Sequence, residues 1–157
     1  MLVLGVDPGS LNTGYGLVNK QHQRLIYVGG GKISPPSSLP FARRIDHIFQ
    51  ALVQIIDTYQ PDEMSIEDIF FAKNVKSALK IGHVRGTALL AAAQKDIKVF
   101  EYTPLQIKQS VVGYGRATKK QVRAMVKLIL QLDIPLSLDA SDALAIAICH
   151  HNWVRIG

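Results

Sequence analysis

The order in which two hydrophobic periodicities succeed one another constrains this chain more than any other feature. Residues 2–6 form a short β-branched run, 14–18 another and 24–33 a third, each bounded by turn residues. Three such runs in succession predict strands in an antiparallel meander. The period then changes. After Pro35, Pro36, Ser37 and Ser38, a loop whose last serine is placed to cap a helix, Phe41, Ile45, Ile48, Phe49, Leu52, Ile55, Ile56 and Tyr59 recur at helical steps until Pro61. A fourth strand at 64–66 ends at Glu67, helical spacing fills 74–95, and 97–102 is a fifth strand. Thr103 and Pro104 open a short helix that Gly113 and Gly115 break, and a further helix over 119–132 carries Val122, Met125, Val126, Ile129 and Leu130 on one stripe before Pro135. The last helix is expected from about Asp139 through Asn152. This succession predicts an α/β fold, a five-stranded mixed sheet flanked by helices. No linker or repeat divides the 157 residues, so 1–157 is expected to be a single domain, with no room for two lobes.

Two acids close predicted strands. Asp7 ends the first strand ahead of Pro8, Gly9 and Ser10, where an Asp is ordinarily a turn residue. Glu67 ends the fourth, where glutamate has low strand propensity and no cap to form. Side chains alternate along a strand, so Asp68 must face away from Glu67. Asp139 and Asp142, three apart, share one face of the last helix. Acids in a first helical turn need no catalytic task, since the macrodipole favours them. The apolar continuation from Ala143 to Ile148, however, marks that helix as buried and brings its acids to a crowded interior or cleft edge. Four converging carboxylates would repel one another in a partly desolvated site, and oxygen-only clusters suit Mg²⁺ or Mn²⁺.

Five segments carry a resemblance: VDPGSLNTGYG at 6–16, IEDIFFAKNVKSALKIG at 66–82, Arg85 with Gly86, QIKQSVVGYGRATKKQV at 106–122, and DASDALAIAICH at 139–150. In this order they closely resemble the RuvC family of bacterial Holliday-junction endonucleases, over essentially the whole chain. The resemblance implies an RNase H-like fold of the retroviral integrase superfamily, a homodimer, Mg²⁺ dependence, and symmetric nicking of two strands of a four-way DNA junction in recombination and repair. It also implies partnership with the RuvA–RuvB branch-migration complex. The family's catalytic acids match Asp7, Glu67, Asp139 and Asp142, and two lysines tied to catalysis match Lys108 and Lys119, with Lys120 the neighbour. Phe70 falls on an aromatic that the family uses near the bases at the crossover. Asp68 and Ser141 depart from a neutral residue and an alanine found among relatives, and Asp68 adds a charge that bears on metal affinity. Two-metal phosphodiester hydrolysis is the mechanism expected, with Mn²⁺ able to replace Mg²⁺ and products bearing 5′-phosphate and 3′-hydroxyl ends.

Charge agrees with a polyanionic partner. The chain has a formal net charge of +6, and with the four acids set aside 8 acidic residues face 18 basic ones. Residues 102–132 contain Lys108, Arg116, Lys119, Lys120, Arg123 and Lys127 with no acid, and 69–95 contain Lys73, Lys76, Lys80, Arg85 and Lys95 with none. Charge runs are usually solvated faces. Here the expected DNA contacts are Lys73, Lys76, Lys80, Arg85, Arg116 and Lys120, with Phe70 and Phe71 as candidates for stacking on an unpaired base. Gly82 and Gly86, four apart, are compatible with a close helix interface and no more.

The remaining features are bland. Cys149 is alone, which excludes an internal disulfide, and reads as a small buried hydrophobe. His150 and His151 read as surface residues at a helix end and are left out of the site. The longest apolar run falls short of ~18 residues and the start carries no secretory pattern, so a cytoplasmic protein without a membrane partner is expected. Two rival readings are a phosphotransferase lobe of the actin and sugar-kinase type, whose phosphate loop also follows an early strand, and a non-catalytic module that binds branched DNA.

Overall fold

The computed structural model describes residues 1–68 and 74–154. Five strands, β1 (Leu2–Asp7), β2 (Thr13–Gln21), β3 (Arg24–Ile33), β4 (Glu63–Glu67) and β5 (Lys98–Tyr102), form one sheet in the order β3-β2-β1-β4-β5. The first three pair antiparallel, as the meander predicts, while β4 and β5 add parallel to β1. The helices are α1 (Phe41–Tyr59), α2 (Val75–Gln94), α3 (Pro104–Val112), α4 (Lys119–Ile129) and α5 (Leu138–Trp153). This is the expected α/β architecture. Among the described residues, no helix is long and apolar enough to cross a membrane.

Strand alternation sorts the side chains into two cores. Leu4, Val6, Leu17, Met64 and Ile66 pack against Ile48, Leu52 and Ile56 of α1 and Val84, Ala88 and Ala91 of α2. On the other face, Val3, Val18 and Tyr102 meet Ile107 and Val111 of α3, Val122 and Val126 of α4, and the run from Leu144 to Cys149 in α5. By the same alternation Asp7 and Glu67 project to the α5 face, two residues beyond Gly5 and Ser65.

The close seat of α5 follows from glycine in the strands and alanine in the helix. A Cβ on Gly5 would collide with the Ala143 carbonyl and the Ala147 amide, and one on Gly14 with the backbone of Asp139. Glycine at both places lets the helix backbone approach the sheet directly. Since Gly14 pairs with Asp7, this seat brings the N-terminal turn of α5 to the carboxyl end of β1.

Several local expectations change. Ser38 does not cap α1, whose N-cap is Pro40 without a side-chain hydrogen bond. β2 runs to Gln21 rather than stopping at Val18, because polar Asn19, Lys20 and Gln21 gain ladder partners on β3. α4 ends at Ile129, three residues early. The caps at Thr103 and Thr118 are reciprocal, each hydroxyl accepting from a backbone amide three residues on while the glutamine there reaches back. His150 and His151 are buried, not surface residues: both ring nitrogens of His150 and the Nε2 of His151 find partners inside, described below. Cys149 is buried, as expected, and burial pushes its thiol up to about 12.

Candidate active site

A cavity of about 100 Å³ opens where β1 and β4 end beneath α5, lined by Asp7, Glu67, Asp142, Lys108, Lys119, Pro104, Ile107, Val122, Ala145 and Ile146. Five of the six residues expected at the reaction centre meet there. Each arrives from a different element: Asp7 from β1, Glu67 from β4, Lys108 from α3, Lys119 from the first turn of α4 and Asp142 from α5. Asp139, one turn before Asp142, lies outside the lining but near enough to act on Asp7. A larger cavity, about 760 Å³, lies at the β2–β3 turn against the end of α4, and among its described lining residues none is acidic.

Electrostatics separate this cluster from an ordinary surface. Burial pushes the Asp7 carboxyl up to about 7, Glu67 and Asp142 add to the rise, Lys119 opposes it, and Asp139 contributes least. Glu67 is also raised, mainly by burial and further by Asp142, against the pull of Lys119 and Lys108. The acids are thus held together against their mutual repulsion, with two ammonium groups as partial compensation. An oxygen-only donor set under such repulsion fits a hard divalent cation. Among the described residues, however, no three His, Cys, Asp or Glu side chains stand at ligating separation. Asp142 is engaged by Arg123, whose Nε and Nη2 donate to its two carboxylate oxygens.

The outlying expected residues fare differently. Lys76 and Lys80 are exposed on the first turns of α2, Lys80 with its ammonium 5.9 Å from the centre of the Phe41 ring. Arg116 and Lys120 are exposed before and at the start of α4, and Lys120 does not line the cavity. Phe70, Phe71 and Lys73 lie outside the described residues. Arg85 departs from expectation. Only 13% of its side chain is exposed, with its guanidinium 2.7 Å from Glu101 and 3.8 Å from Asp68 and its Nε donating to the Glu67 carbonyl. It ties α2 to the strand ends. Asp68 faces this arginine and not the cavity, as alternation requires. Gly86 faces open space in the single chain.

Arg123, noted in the sequence only as part of a basic run, is the residue missing from the expected site. Its signal was present, a cation one helical turn after Lys119, but its partner becomes visible only when α4 is laid across α5.

Acids at the ends of adjacent parallel strands, joined by acids from a helix seated on the same face, define an RNase H-like nuclease scaffold. The family model described as crossover junction endodeoxyribonuclease RuvC matches residues 3–150. Named crossover junction endodeoxyribonucleases RuvC of Citrifermentans bemidjiense and Geotalea uraniireducens are 51% and 49% identical, covering 99% and 97% of this chain and 95% and 89% of theirs. The Thermus thermophilus RuvC structure in complex with a Holliday junction substrate superposes with a TM-score of 0.94 at 32% identity, over 100% of this chain and 96% of that one. The chain belongs to the RuvC family of crossover junction endodeoxyribonucleases, whose members are divalent-metal-dependent nucleases.

Proposed function

We propose that this chain resolves Holliday junctions at the cavity lined by Asp7, Glu67 and Asp142, with Asp139 completing the acidic set and Lys108 and Lys119 serving it. The observation that carries the reading is the convergence of three carboxylates and two ammonium groups from five elements on one small cavity. Neither a nucleotide-clamping phosphotransferase lobe nor a non-catalytic DNA-binding module is favoured.

The four acids are the proposed ligands of Mg²⁺, two ions per subunit, with Mn²⁺ as a substitute. Ions held there would supply a lowered pKa for the attacking water and stabilisation of charge on the departing 3′ oxygen. Asp7, whose carboxyl is raised to about 7, would be held as a carboxylate by a bound cation. Lys108 and Lys119 hold fixed positive charge over the scissile phosphate, where negative charge builds. Cleavage leaves 5′-phosphate and 3′-hydroxyl ends. Lys76, Lys80, Arg116 and Lys120 are the proposed phosphate contacts, and Phe70 and Phe71, with Lys73 beside them, the proposed contacts at the crossover.

A homodimer presents two such sites to opposed strands of the junction. Partnership with the RuvA–RuvB branch-migration complex and action in the cytoplasm complete the proposal. The deciding experiment is cleavage of a mobile synthetic four-way junction with and without Mg²⁺, mapping both nicks. Paired, symmetric, ligatable nicks that require Mg²⁺ are expected. Unpaired or non-ligatable nicks, or undiminished cutting by Asp7→Asn, would overturn the assignment.

A further inference from the structure

One cation at the cavity edge has no part in the scheme so far. Arg123 lies one turn after Lys119 on α4, so a single face of that helix carries both positive side chains to the acids. Lys119 acts on Asp7 and Glu67. Arg123 instead spans Asp142, Nε donating to Oδ1 and Nη2 to Oδ2, each at 3.3 Å. A fork engaging both oxygens takes up the directions along which that carboxylate would bind a metal. While it is closed Asp142 is committed elsewhere, in keeping with the absence of any ligating group of three among the described residues.

The fork is also loose. Charge-assisted N–H···O bonds settle at about 2.7–2.9 Å, whereas both bonds here are 3.3 Å and the two side chains are 26% and 24% exposed. Such a pair holds its carboxylate in place without locking it.

We propose that Arg123 is a positioning residue that competes with the divalent cation for Asp142, standing in for positive charge in the metal-free protein and releasing the carboxylate when the cation arrives. Metal entry then exchanges one positive partner of Asp142 for another, and divalent affinity is set below what the acids alone would give. This inference rests on Asp142 being a metal ligand.

The test is calorimetric titration of Mn²⁺ into the full chain without DNA, comparing wild type with Arg123→Gln, Arg123→Lys, Asp142→Asn and the double variant Arg123→Gln/Asp142→Asn. Arg123→Gln is expected to bind Mn²⁺ roughly two- to fivefold more tightly, the weight of an ion pair of this exposure. Arg123→Lys, which keeps the charge but loses the fork, should fall between it and wild type. In the Asp142→Asn background the Arg123 change should have no effect, as a double-mutant cycle requires of two groups that act through one another. The Mn²⁺ concentration giving half-maximal junction cleavage should fall in parallel. Unchanged or weaker Mn²⁺ binding by Arg123→Gln overturns the inference and leaves the site intact; wild-type binding by Asp142→Asn overturns the metal assignment itself. If Arg123→Gln does not fold, Arg123→Lys decides by the same criterion.

Discussion

The two ends of α5 bury polar groups in opposite ways. At its C-terminal end His150 is fully enclosed, its Nε2 2.6 Å from a Glu63 oxygen and its Nδ1 2.7 Å from the Tyr102 hydroxyl. His151 beside it has Nε2 2.9 Å from the Val18 carbonyl, so that Nε2–H donates and the ring is fixed in one tautomer. His150 is matched by partners on both ring nitrogens, while the buried Nδ1 of His151 has none among the described residues; Tyr102, raised to about 12 chiefly by burial, retains its hydroxyl proton as a donor. At the N-terminal end, one helix length away, Asp7 is enclosed among Glu67, Asp142 and Asp139, and Lys119 offsets their like charge only in part. One end spends its buried polarity on anchoring the helix. The other holds like charges together with partial compensation from its own cations, an arrangement that an added cation would relieve and where chemistry that needs a cation belongs.

The largest effects should come from breaking the frustrated end. Asp7→Asn is expected to reduce junction cleavage by about 10³-fold or more, ~4 kcal/mol of barrier. Glu67→Gln should lose roughly 10²-fold or more, with both read as single-turnover rates in Mg²⁺. The same Asp7→Asn change should raise the melting temperature in EDTA by several degrees, because relieving a buried like charge contributes on the order of 1–2 kcal/mol. A variant both inactive and no more stable than wild type would mean the acids are not held against repulsion at all.

Breaking the satisfied end should do the reverse. His150→Phe keeps an aromatic ring but strands the Glu63 carboxylate and the Tyr102 hydroxyl, at a cost of about 2–4 kcal/mol in urea unfolding. Cleavage per folded molecule should stay within about twofold of wild type, since His150 does not line the cavity. A large loss of turnover in a folded His150→Phe protein would erase the distinction between the two ends.

Acidity distinguishes the ends with a smaller effect. The folded Asp7 carboxyl, at about 7, lies above its ordinary 3.8, so its stabilising contribution is full below the unfolded value and is lost as pH rises toward 7. Burial, the neighbouring His150, Lys20 and the amino terminus lower His151 from 6.5, against its bond to Val18, so its contribution is full above 6.5 and is lost as pH falls. The two slopes oppose each other. In EDTA, Asp7→Asn should therefore lose stability more steeply than wild type between pH 7 and 5, by on the order of 1–2 kcal/mol across that range. Identical urea midpoints for the two proteins at every pH would refute the opposition.

These contrasts also mark where sequence reading succeeds and stops. The order of elements was legible because each period is local. Asp7 and Glu67 were legible because strand-end position and alternation fix both place and direction without a partner. His150 and His151 were misjudged because their partners, Glu63, Tyr102 and Val18, lie 87, 48 and 133 residues away and no local pattern announces them. The partner of Arg85 was hidden for the same reason: its basic neighbourhood in the chain says nothing of Glu101 across the fold. Arg123 showed its spacing but not its carboxylate.

The smallest effect tests whether direction or mere nearness makes an acid part of the site. Asp68 adjoins Glu67 in the chain, yet its carboxylate is 45% exposed and lies 3.8 Å from Arg85 on the α2 side. It does not line the cavity, and it is absent from the charges that move Asp7 and Glu67. Arg85 keeps Glu101 when Asp68 is neutralised, so little is stranded. Asp68→Asn should change stability by less than about 0.5 kcal/mol and both Mn²⁺ affinity and cleavage by less than about twofold. A fivefold or greater change in Mn²⁺ affinity would mean that summed negative charge near the strand end governs the cation, and the facing of Asp7, Glu67 and Asp142 into one cavity would no longer explain which acids matter.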